Sequence, residues 1–308
     1  MKKILVTGSN GLLGQKLVYK LKERNDVELI ATARGANRLL DQSGYAYREL
    51  DITDKANVNE VIDSVKPDFI IHSAAMTQVD ECELNQAACD KINVDAVQYI
   101  VDAAERNNCH LVHISTDFIF NGEEGPYDEE GKPDPLSHYG LSKLKGEQIL
   151  RSSSLKWAIL RTVLVYGIVD NMSRTNIVLW AKGELEKGNA INVVDDQFRS
   201  PTLAEDLADG CILAVDKAAT GVYNISGKDQ FSIIDLVRTV ADYYGLDKSL
   251  INPVSSKTLN QPAKRPPITG FVLDKARREL GYDPHSFTEG IALMEKQIHS
   301  ITIGKQED

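Results

Sequence analysis

The sequence predicts an α/β protein built on a Rossmann-type, doubly wound parallel sheet, with a smaller C-terminal α/β region. Three observations support this fold class. Short apolar runs alternate with amphipathic segments between residues 3 and 160, as a parallel sheet with crossover helices requires. A glycine-rich loop follows the first apolar run, and a Tyr-x-x-x-Lys sequence follows the His110–Ile114 run.

The period of the apolar residues gives the individual elements. Strands are predicted at Lys3–Thr7, Val27–Ala33, Tyr45–Leu50, Phe69–His72, His110–Ile114 and Trp157–Leu160. The helices between them are predicted at Leu12–Arg24, Val58–Val65, Gln86–Asn107 and Pro135–Ser153. After residue 161 the alternation is looser, with helices at Asn176–Lys187, Leu203–Val215, Ile233–Tyr244, Leu273–Gly281 and Thr288–His299 and a strand at Gly221–Ile225.

Composition and charge exclude several classes of function. A chain of 308 residues suits one large α/β domain or a nucleotide-binding domain with a smaller cap. The net charge of -10 argues against nonspecific binding to nucleic acid or to anionic membranes. The four cysteines form no CxxC or metal-ligand spacing, and the first apolar run is too short for a signal peptide or spanning helix. We therefore expect a cytoplasmic protein without a metal.

The glycine-rich loop predicts a dinucleotide site. Glycines between a first strand and a first helix allow a tight turn and let backbone amides meet a pyrophosphate at the helix N-terminus. The cofactor-binding residues predicted here are Gly8, Ser9, Asn10, Gly11, Leu12, Leu13 and Gly14. We therefore expect residues 1–165 to form a NAD(P)-binding domain.

The ends of the next strands indicate which dinucleotide is bound. NAD sites usually place an acidic residue after the second strand, whereas this chain has Arg34, which can pair with a 2′-phosphate. NADP(H) is therefore favoured, and NAD(H) remains the alternative. Asp51 and Ile52 are expected near the adenine, and the small residues Ser73, Ala74 and Ala75 along the path of the cofactor.

The chemistry is predicted from the pair Tyr139 and Lys143. On a helix these side chains lie one turn apart, and an ammonium beside a phenol lowers the pKa of the phenol. The spacing alone is weak, because Tyr244 and Lys248 share it. Only the first pair follows a strand that ends in hydroxyls, at Ser115-Thr116, on the edge of the sheet where such folds place their chemistry.

These residues resemble the extended short-chain dehydrogenase/reductases, in order and spacing, over about the first 170 residues. The resemblance implies that Tyr139 donates a proton, while Lys143 lowers its pKa and holds the nicotinamide ribose. It also implies that Thr116 orients the substrate oxygen with Ser115 beside it. Asn93 matches an asparagine that supports the lysine through water in that family, with a plain helix polar residue as the alternative. His72 and His113 are expected in the core.

One branch of that family extends the resemblance across nearly the whole chain. The segments Ser115–Gly122, Arg161-Thr162, Val165–Gly167, Asp196–Thr202 and Ala263–Pro267 resemble the dTDP-4-dehydrorhamnose reductases. This implies reduction of a 4-keto group on a nucleotide-linked deoxysugar, with residues 166–303 mainly binding substrate, although the chain can cross between the two regions. Arg199, Thr202 and Arg265 are the candidate substrate contacts.

Two features qualify the likeness to this branch. The branch usually has tryptophan where this chain has Leu164, and glycine within the segment where this chain has Phe198-Arg199-Ser200. Both positions should face the substrate, so the identity of the sugar is not fixed by the resemblance. Sugar-nucleotide dehydratases carry Asp-Glu after the strand-end threonine, whereas Asp117 precedes Phe118 here, so elimination of water is not expected.

The C-terminal half also resembles the regulatory β subunit of methionine adenosyltransferase. The likeness rests on Gly221–Gly227, Arg265-Pro266 and Leu273-Asp274. That resemblance implies a cofactor fold that binds a partner enzyme instead of turning over a sugar. A reductase or epimerase of another nucleotide sugar is a third alternative. A homodimer is the oligomeric state that the family resemblance suggests.

Overall fold

The computed structural model describes residues 1–171 and 175–304, the last five by their backbone alone. In chain order the strands are β1 (Lys2–Thr7), β2 (Val27–Ala33), β3 (Ala46–Glu49), β4 (Phe69–His72), β5 (His110–Thr116), β6 (Lys156–Thr162), β7 (Val165–Tyr166), β8 (Ile191–Val194), β9 (Phe198–Arg199), β10 (Thr202–Leu203), β11 (Gly221–Asn224), β12 (Phe231–Ser232) and β13 (Ile251–Val254).

The helices cover both faces of the main sheet and build most of the C-terminal region. They are α1 (Leu12–Leu21), α2 (Lys55–Val65), α3 (Val79–Leu84), α4 (Gln86–Asp90), α5 (Ala96–Arg106), α6 (His138–Ser152), α7 (Ile177–Glu186), α8 (Ala204–Asp216), α9 (Ile233–Tyr244) and α10 (Phe287–Gly304). No helix in these described ranges is long and apolar enough to cross a membrane.

The main sheet has seven parallel strands in the order β11-β6-β5-β4-β1-β2-β3. The order reverses between β1 and β4, which opens a crevice beyond the carboxyl ends of these strands. Alternate residues point to opposite faces, so Val6 packs with α1 and α8 while Leu5 packs with α2 and α5. The predicted doubly wound fold is confirmed.

The last strand of the sheet comes from the C-terminal half of the chain. β11 pairs in parallel with β6, from Gly221 opposite Ala158 to Asn224 opposite Arg161. Helix α8 precedes it and packs on the same sheet face as α1. The chain therefore leaves the sheet after β6 and returns to complete it.

The remaining C-terminal residues form a separate apolar cluster. Three two-stranded sheets, β7 with β10, β8 with β13 and β9 with β12, are joined by α7, α9 and α10. Buried residues of this cluster include Leu185, Ile191, Val237 and Ile291. This region follows the carboxyl end of β6, and its residue Asp170 contacts Gln15 in α1.

Two predicted helices differ from those observed. The helix predicted for 86–107 is divided into α4, a π-helical turn at Lys91–Asp95, and α5. Such turns have no simple apolar period, so the sequence pattern does not reveal them. The helix predicted for Leu273–Gly281 is only a π-helical turn at Ala276–Leu280, which ends where Gly281 takes a left-handed backbone (φ +75°).

Candidate functional site

The glycine-rich loop is shaped by close backbone approaches. Gly8 has a φ of +70°, and a Cβ there would lie 2.9 Å from the backbone nitrogen of Ala74. A Cβ on Gly14 would lie 2.1 Å from the carbonyl oxygen of Gly8. The loop therefore folds back tightly on the start of α1 and on the segment after β4, and these positions require glycine.

The residues of this loop fit a bound pyrophosphate. Among the described side chains none caps α1, whereas Asp54 caps α2 and Ser137 caps α6. The first amides of α1 are thus left as donors for an anion. The Ser9 hydroxyl is fully buried and has no hydrogen-bond partner within the described chain. Both features leave donors at the position that a dinucleotide phosphate occupies in this fold class.

The predicted adenosine side of the site lies around β2 and β3. Asn10 donates to the carbonyl of Ala36 (2.9 Å) and accepts from the amide of Arg38 (2.9 Å), which ties the glycine-rich loop to the loop after β2. Arg34 is exposed in that second loop. Burial of Asp51 opposes ionisation, but the hydrogen bonds from Thr53, and then the charge of Arg34, lower the pKa of Asp51. An exposed guanidinium here suits a 2′-phosphate.

Other predicted cofactor residues make internal hydrogen bonds. The Asp51 carboxylate accepts from the amide and hydroxyl of Thr53 (2.9 and 2.7 Å), and Ile52 is buried. The Ser73 hydroxyl donates to the carbonyl of Thr7 (2.6 Å), and the Ala74 amide donates to the Thr7 hydroxyl (3.3 Å). These bonds hold the segment after β4, including Ala75, beside the end of β1.

Tyr139, Lys143 and Thr116 meet at the carboxyl edge of the sheet. Ser137 caps α6 by accepting from the amide of Gly140 (3.3 Å), which fixes the first turn that carries Tyr139. The phenol lies close to the Thr116 hydroxyl, and the Phe118 ring packs edge-on against the tyrosine ring at 5.7 Å. Lys143 follows one turn later and is buried.

The electrostatics of the pair differ from the prediction. Burial raises the pKa of Tyr139 above its ordinary value, and the nearby Thr116 hydroxyl offsets this only in part. Burial also lowers the pKa of Lys143, to about 8. The Tyr139 pKa is therefore raised where the sequence predicted a lowering, because desolvation of the buried phenol is the largest influence on it.

Thr116 is oriented by an acidic neighbour. Its hydroxyl donates to the Asp117 carboxylate (3.0 Å), and Thr269 from the C-terminal region donates to the other oxygen of Asp117. The Arg199 guanidinium lies 4.0 Å from that carboxylate. Burial raises the pKa of Asp117, although Arg199 and the two hydroxyls favour its charged form. Asp117 thus joins the end of β5 to the C-terminal region.

Ser115 does not face the site beside Thr116. Neighbouring strand residues point to opposite faces, so Ser115 points toward α6 and donates to Glu147 (2.6 Å). Glu147 is fully buried and also accepts two hydrogen bonds from Arg161, at 3.0 and 2.9 Å. The substrate contact predicted for Ser115 does not fit these bonds, and the residue supports a buried ion pair instead.

The other predicted substrate contacts are occupied by protein partners. Thr202 is fully buried and donates to the carbonyl of Val163 (2.6 Å). Arg199 is buried and donates to the carbonyls of Pro266 (2.7 Å) and Pro267 (3.2 Å). Thr202 is therefore structural, whereas Arg199 lies next to Asp117 and fixes the proline-containing loop against the site.

Arg265 makes a two-point ion pair with Asp80 at the start of α3, at 3.0 and 2.7 Å. The sequence does not predict this role for Asp80, because an acidic residue in the first turn of a helix is usually explained by the helix dipole alone. The contact brings the C-terminal loop against the element that follows β4.

Asn93 lies in the π-helical turn and is almost fully buried. Its amide accepts from the Met76 amide and donates to the Met76 carbonyl, both at 2.9 Å, and also donates to the Ser142 hydroxyl (3.1 Å). The side chain thus clamps the segment after β4 onto α6, next to Lys143. Across the described ranges, no group of three or more His, Cys, Asp or Glu residues is arranged to hold a metal ion.

Known proteins match this chain over nearly its full length. A family model described as the RmlD substrate binding domain matches residues 1–300. The dTDP-4-dehydrorhamnose reductase of Aggregatibacter actinomycetemcomitans is 32% identical over 303 residues, which cover 94% of this chain and 97% of that protein. Methionine adenosyltransferase 2 subunit beta of Danio rerio is 30% identical over 284 residues, covering 91% and 84%.

Solved structures agree with this match. A dTDP-4-dehydrorhamnose reductase from Clostridium acetobutylicum has a TM-score of 0.85 at 30% identity, covering 96% of this chain and 99% of that one. The reductase from Bacillus anthracis, solved in complex with NADP, has a TM-score of 0.82 at 28% identity, covering 96% and 100%. The resemblance inferred from the sequence is confirmed, and the chain belongs to the RmlD substrate-binding domain family.

Proposed function

We propose that this protein reduces the 4-keto group of a nucleotide-linked deoxysugar, in the manner of a dTDP-4-dehydrorhamnose reductase, with NADPH as the favoured reductant and NADH as the alternative. The observation that carries the proposal is the meeting of Thr116, Tyr139 and Lys143 at the sheet edge that also carries the glycine-rich loop. Family membership and the NADP complex of the Bacillus anthracis relative support it.

The residues divide the work of a carbonyl reduction. A bound NADPH supplies the hydride. Tyr139 gives the proton to the carbonyl oxygen, and its raised pKa keeps the phenol protonated at neutral pH, the form that a reduction consumes. Lys143, whose pKa is lowered to about 8, stays mostly an ammonium at pH 7 and holds the nicotinamide ribose. Thr116 lies beside the phenol, and rotation of its hydroxyl away from Asp117 would let it donate to the substrate oxygen.

The surroundings favour reduction over elimination of water. An elimination needs a second acid and base beside the tyrosine. Here the residue after Asp117 is Phe118, whose ring covers the edge of Tyr139. Asp117 itself is buried between Thr116, Thr269 and Arg199. Both oxygens of its carboxylate thus already have partners within the protein.

A regulatory role is the second candidate, because the likeness to methionine adenosyltransferase 2 subunit beta covers most of the chain. Under this hypothesis the bound cofactor stabilises the fold or regulates the complex, and a surface of the protein binds a methionine adenosyltransferase. The Tyr139 and Lys143 pair does not separate the two candidates, because the regulatory subunit also retains the motif. The reductase is favoured because the likeness to the Aggregatibacter actinomycetemcomitans enzyme covers 97% of that protein, against 84% of the subunit.

Oxidation of NADPH by the purified protein, with dTDP-4-keto-6-deoxyhexose and a panel of other keto-sugar nucleotides, tests the proposal. We expect turnover that falls about a hundredfold or more in Tyr139→Phe, with the Kd for NADPH changed by less than about threefold. Arg34→Ala should weaken NADPH binding without affecting NADH, by about tenfold. No turnover on the panel, together with a stable complex with methionine adenosyltransferase, would favour the regulatory role.

A further inference from the structure

We propose that His113 is a positioning residue for this reduction: its Nε2 accepts a hydrogen bond from the Lys143 ammonium and holds the amine in place beside Tyr139. The effect of His113 on catalysis depends on the proposed function being correct. The hydrogen bond itself is a property of the protein alone and can be measured without nucleotide or sugar.

The contact joins two fully enclosed side chains. Lys143 Nζ lies 3.5 Å from His113 Nε2, at the loose end of hydrogen-bond distance. Lys143 is 4% exposed and His113 is 0% exposed, so water does not compete for the amine. Within the described part of the chain, this imidazole is the one hydrogen-bond partner of the Lys143 amine. The lysine would otherwise be an unpartnered buried cation.

The imidazole can act only as an acceptor toward an ammonium. Burial, and then the charge of Lys143, hold the pKa of His113 well below its ordinary value, which favours the neutral ring. A neutral ring that accepts at Nε2 carries its proton on Nδ1. Among the described residues Nδ1 has no hydrogen-bond partner, so no competing bond favours the other tautomer.

His113 is itself held by its neighbours. The His72 ring stacks on it at 5.3 Å, and His72 Nδ1 bonds the Thr7 hydroxyl (2.8 Å) at the start of the glycine-rich loop. On the other side α6 has Gly146, where a Cβ would lie 3.4 Å from His113 Nε2. The acceptor is therefore packed between the loop of the cofactor site and the helix of the lysine.

Several other titratable groups face Lys143 and also influence its pKa. The titratable groups that face it are Glu147 and Tyr139 on α6, His113 on β5, His72 on β4, Cys82 on α3 and Cys89 on α4. Glu147 is already bonded to Arg161 and Ser115. Replacing His113 leaves all the others in place, so a change in the Lys143 pKa can be assigned to the lost acceptor.

The test is the pH titration of Lys143, read from its Cε resonance in protein labelled with carbon-13 lysine and assigned with Lys143→Arg. His113→Met removes the acceptor at similar volume, and His113→Gln retains an amide oxygen. Because an acceptor stabilises the ammonium, we expect His113→Met to lower the pKa of Lys143 by about one unit and His113→Gln to shift it by less than about 0.3. NADPH turnover at neutral pH should fall about tenfold or more in His113→Met and stay within about threefold in His113→Gln.

His110→Met is the matched control, because His110 is a buried histidine at the first position of the same strand, stacked on Phe69 and on the opposite face of the strand from His113. We expect it to leave the Lys143 titration unchanged. If His113→Met does not fold, the nitrogen-15 imidazole spectrum of the unmutated protein decides, with Nε2 expected to be unprotonated. An unchanged Lys143 pKa in His113→Met, or a proton on Nε2, would overturn the inference. Lack of turnover in the unmutated protein would instead contradict only the proposed function.

Discussion

Arg265 binds both carboxylate oxygens of Asp80, at 3.0 and 2.7 Å, and so ties the loop before Gly270 to the first turn of α3. The Asp80 carboxylate also accepts from the amide of Ala263 (3.2 Å). The hydrogen bonds from Arg265 lower the pKa of Asp80 despite partial burial. The guanidinium therefore links the C-terminal region to the element that follows β4 in the main sheet.

A double-mutant cycle should show that Asp80 and Arg265 act as a unit. We expect Asp80→Ala and Arg265→Ala each to lower the free energy of unfolding by about 1 kcal/mol, and the double variant to lose little more. Because the pKa of Asp80 is depressed in the folded state, this contribution is complete above pH ~4 and is lost as the pH falls further. Urea denaturation at two pH values measures it.

The same variants show whether Arg265 also contacts substrate. If Arg265 only anchors the loop through Asp80, Arg265→Ala should raise the KM for the nucleotide sugar no more than Asp80→Ala does. A much larger rise for Arg265→Ala would contradict the anchor role and restore the substrate contact predicted from the sequence.

Gly14→Ala should prevent cofactor binding without preventing folding of the C-terminal region. The added methyl would lie 2.1 Å from the Gly8 carbonyl oxygen, so the glycine-rich loop must open. We expect NADPH affinity to fall by about a hundredfold or more, because the loop amides no longer converge on the pyrophosphate. Fluorescence titration with NADPH measures the loss.

Gly183→Ala is the control for that variant. Gly183 lies inside α7, and a Cβ there meets nothing within 4 Å. Alanine is the better helix former, so we expect a gain of about 0.5–1 kcal/mol in the free energy of unfolding and an unchanged Kd for NADPH. Equal losses of NADPH binding in both variants would argue against the steric account of Gly14.

The parts of the site that follow from local spacing could be predicted from the sequence. Tyr139 and Lys143 are one turn apart on a helix, and Gly8 and Gly14 sit at a strand-to-helix junction, so sequence distance fixes their geometry. Strand ends were also predictable, since Thr116 closes β5. The alternation of strand faces was predictable as well, and it would have excluded Ser115 as the neighbour of Thr116 in the site.

What depends on contacts distant in sequence could not be predicted. The pairing of Arg265 with Asp80 joins residues 185 positions apart, and that of Thr269 with Asp117 joins residues 152 apart. The raised pKa of Tyr139 depends on how many elements enclose it, which the spacing to Lys143 does not report. The return of the chain at β11 likewise follows from packing of α8 on the sheet, not from the apolar period of Gly221–Asn224.

The buried ion pair of Glu147 and Arg161 should be essential for stability. Burial disfavours the Glu147 carboxylate, but hydrogen bonds from Arg161 and Ser115 outweigh it and lower its pKa. Removing Arg161 leaves the buried carboxylate with only the half-exposed Arg151 (3.5 Å) and Ser115 as partners, so we expect Arg161→Met to cost about 3 kcal/mol of unfolding free energy. The double variant Glu147→Leu with Arg161→Met should recover most of that loss, as urea denaturation can measure. A double variant as unstable as the single one would contradict this account.

Lys143→Met should make the protein more stable at pH 7 while removing its activity. Burial lowers the pKa of Lys143 to about 8, so the folded state disfavours the ammonium by about 3 kcal/mol relative to a solvated lysine. Methionine has a similar shape without this penalty, and we expect a gain of about 1–3 kcal/mol in the free energy of unfolding.

The pH dependence of that gain provides its own control. Between pH 8 and about 10.5 the unfolded lysine is protonated while the folded one has released its proton, so the stability of the unmutated protein rises with pH across this window. The advantage of Lys143→Met should therefore shrink steadily from pH 8 upward, as urea denaturation at pH 7 and near pH 10 would show. A variant that is less stable than the unmutated protein at pH 7 would mean that the buried ammonium gains more from its surroundings than it loses by leaving water. In that case the lowered pKa of Lys143 would be wrong.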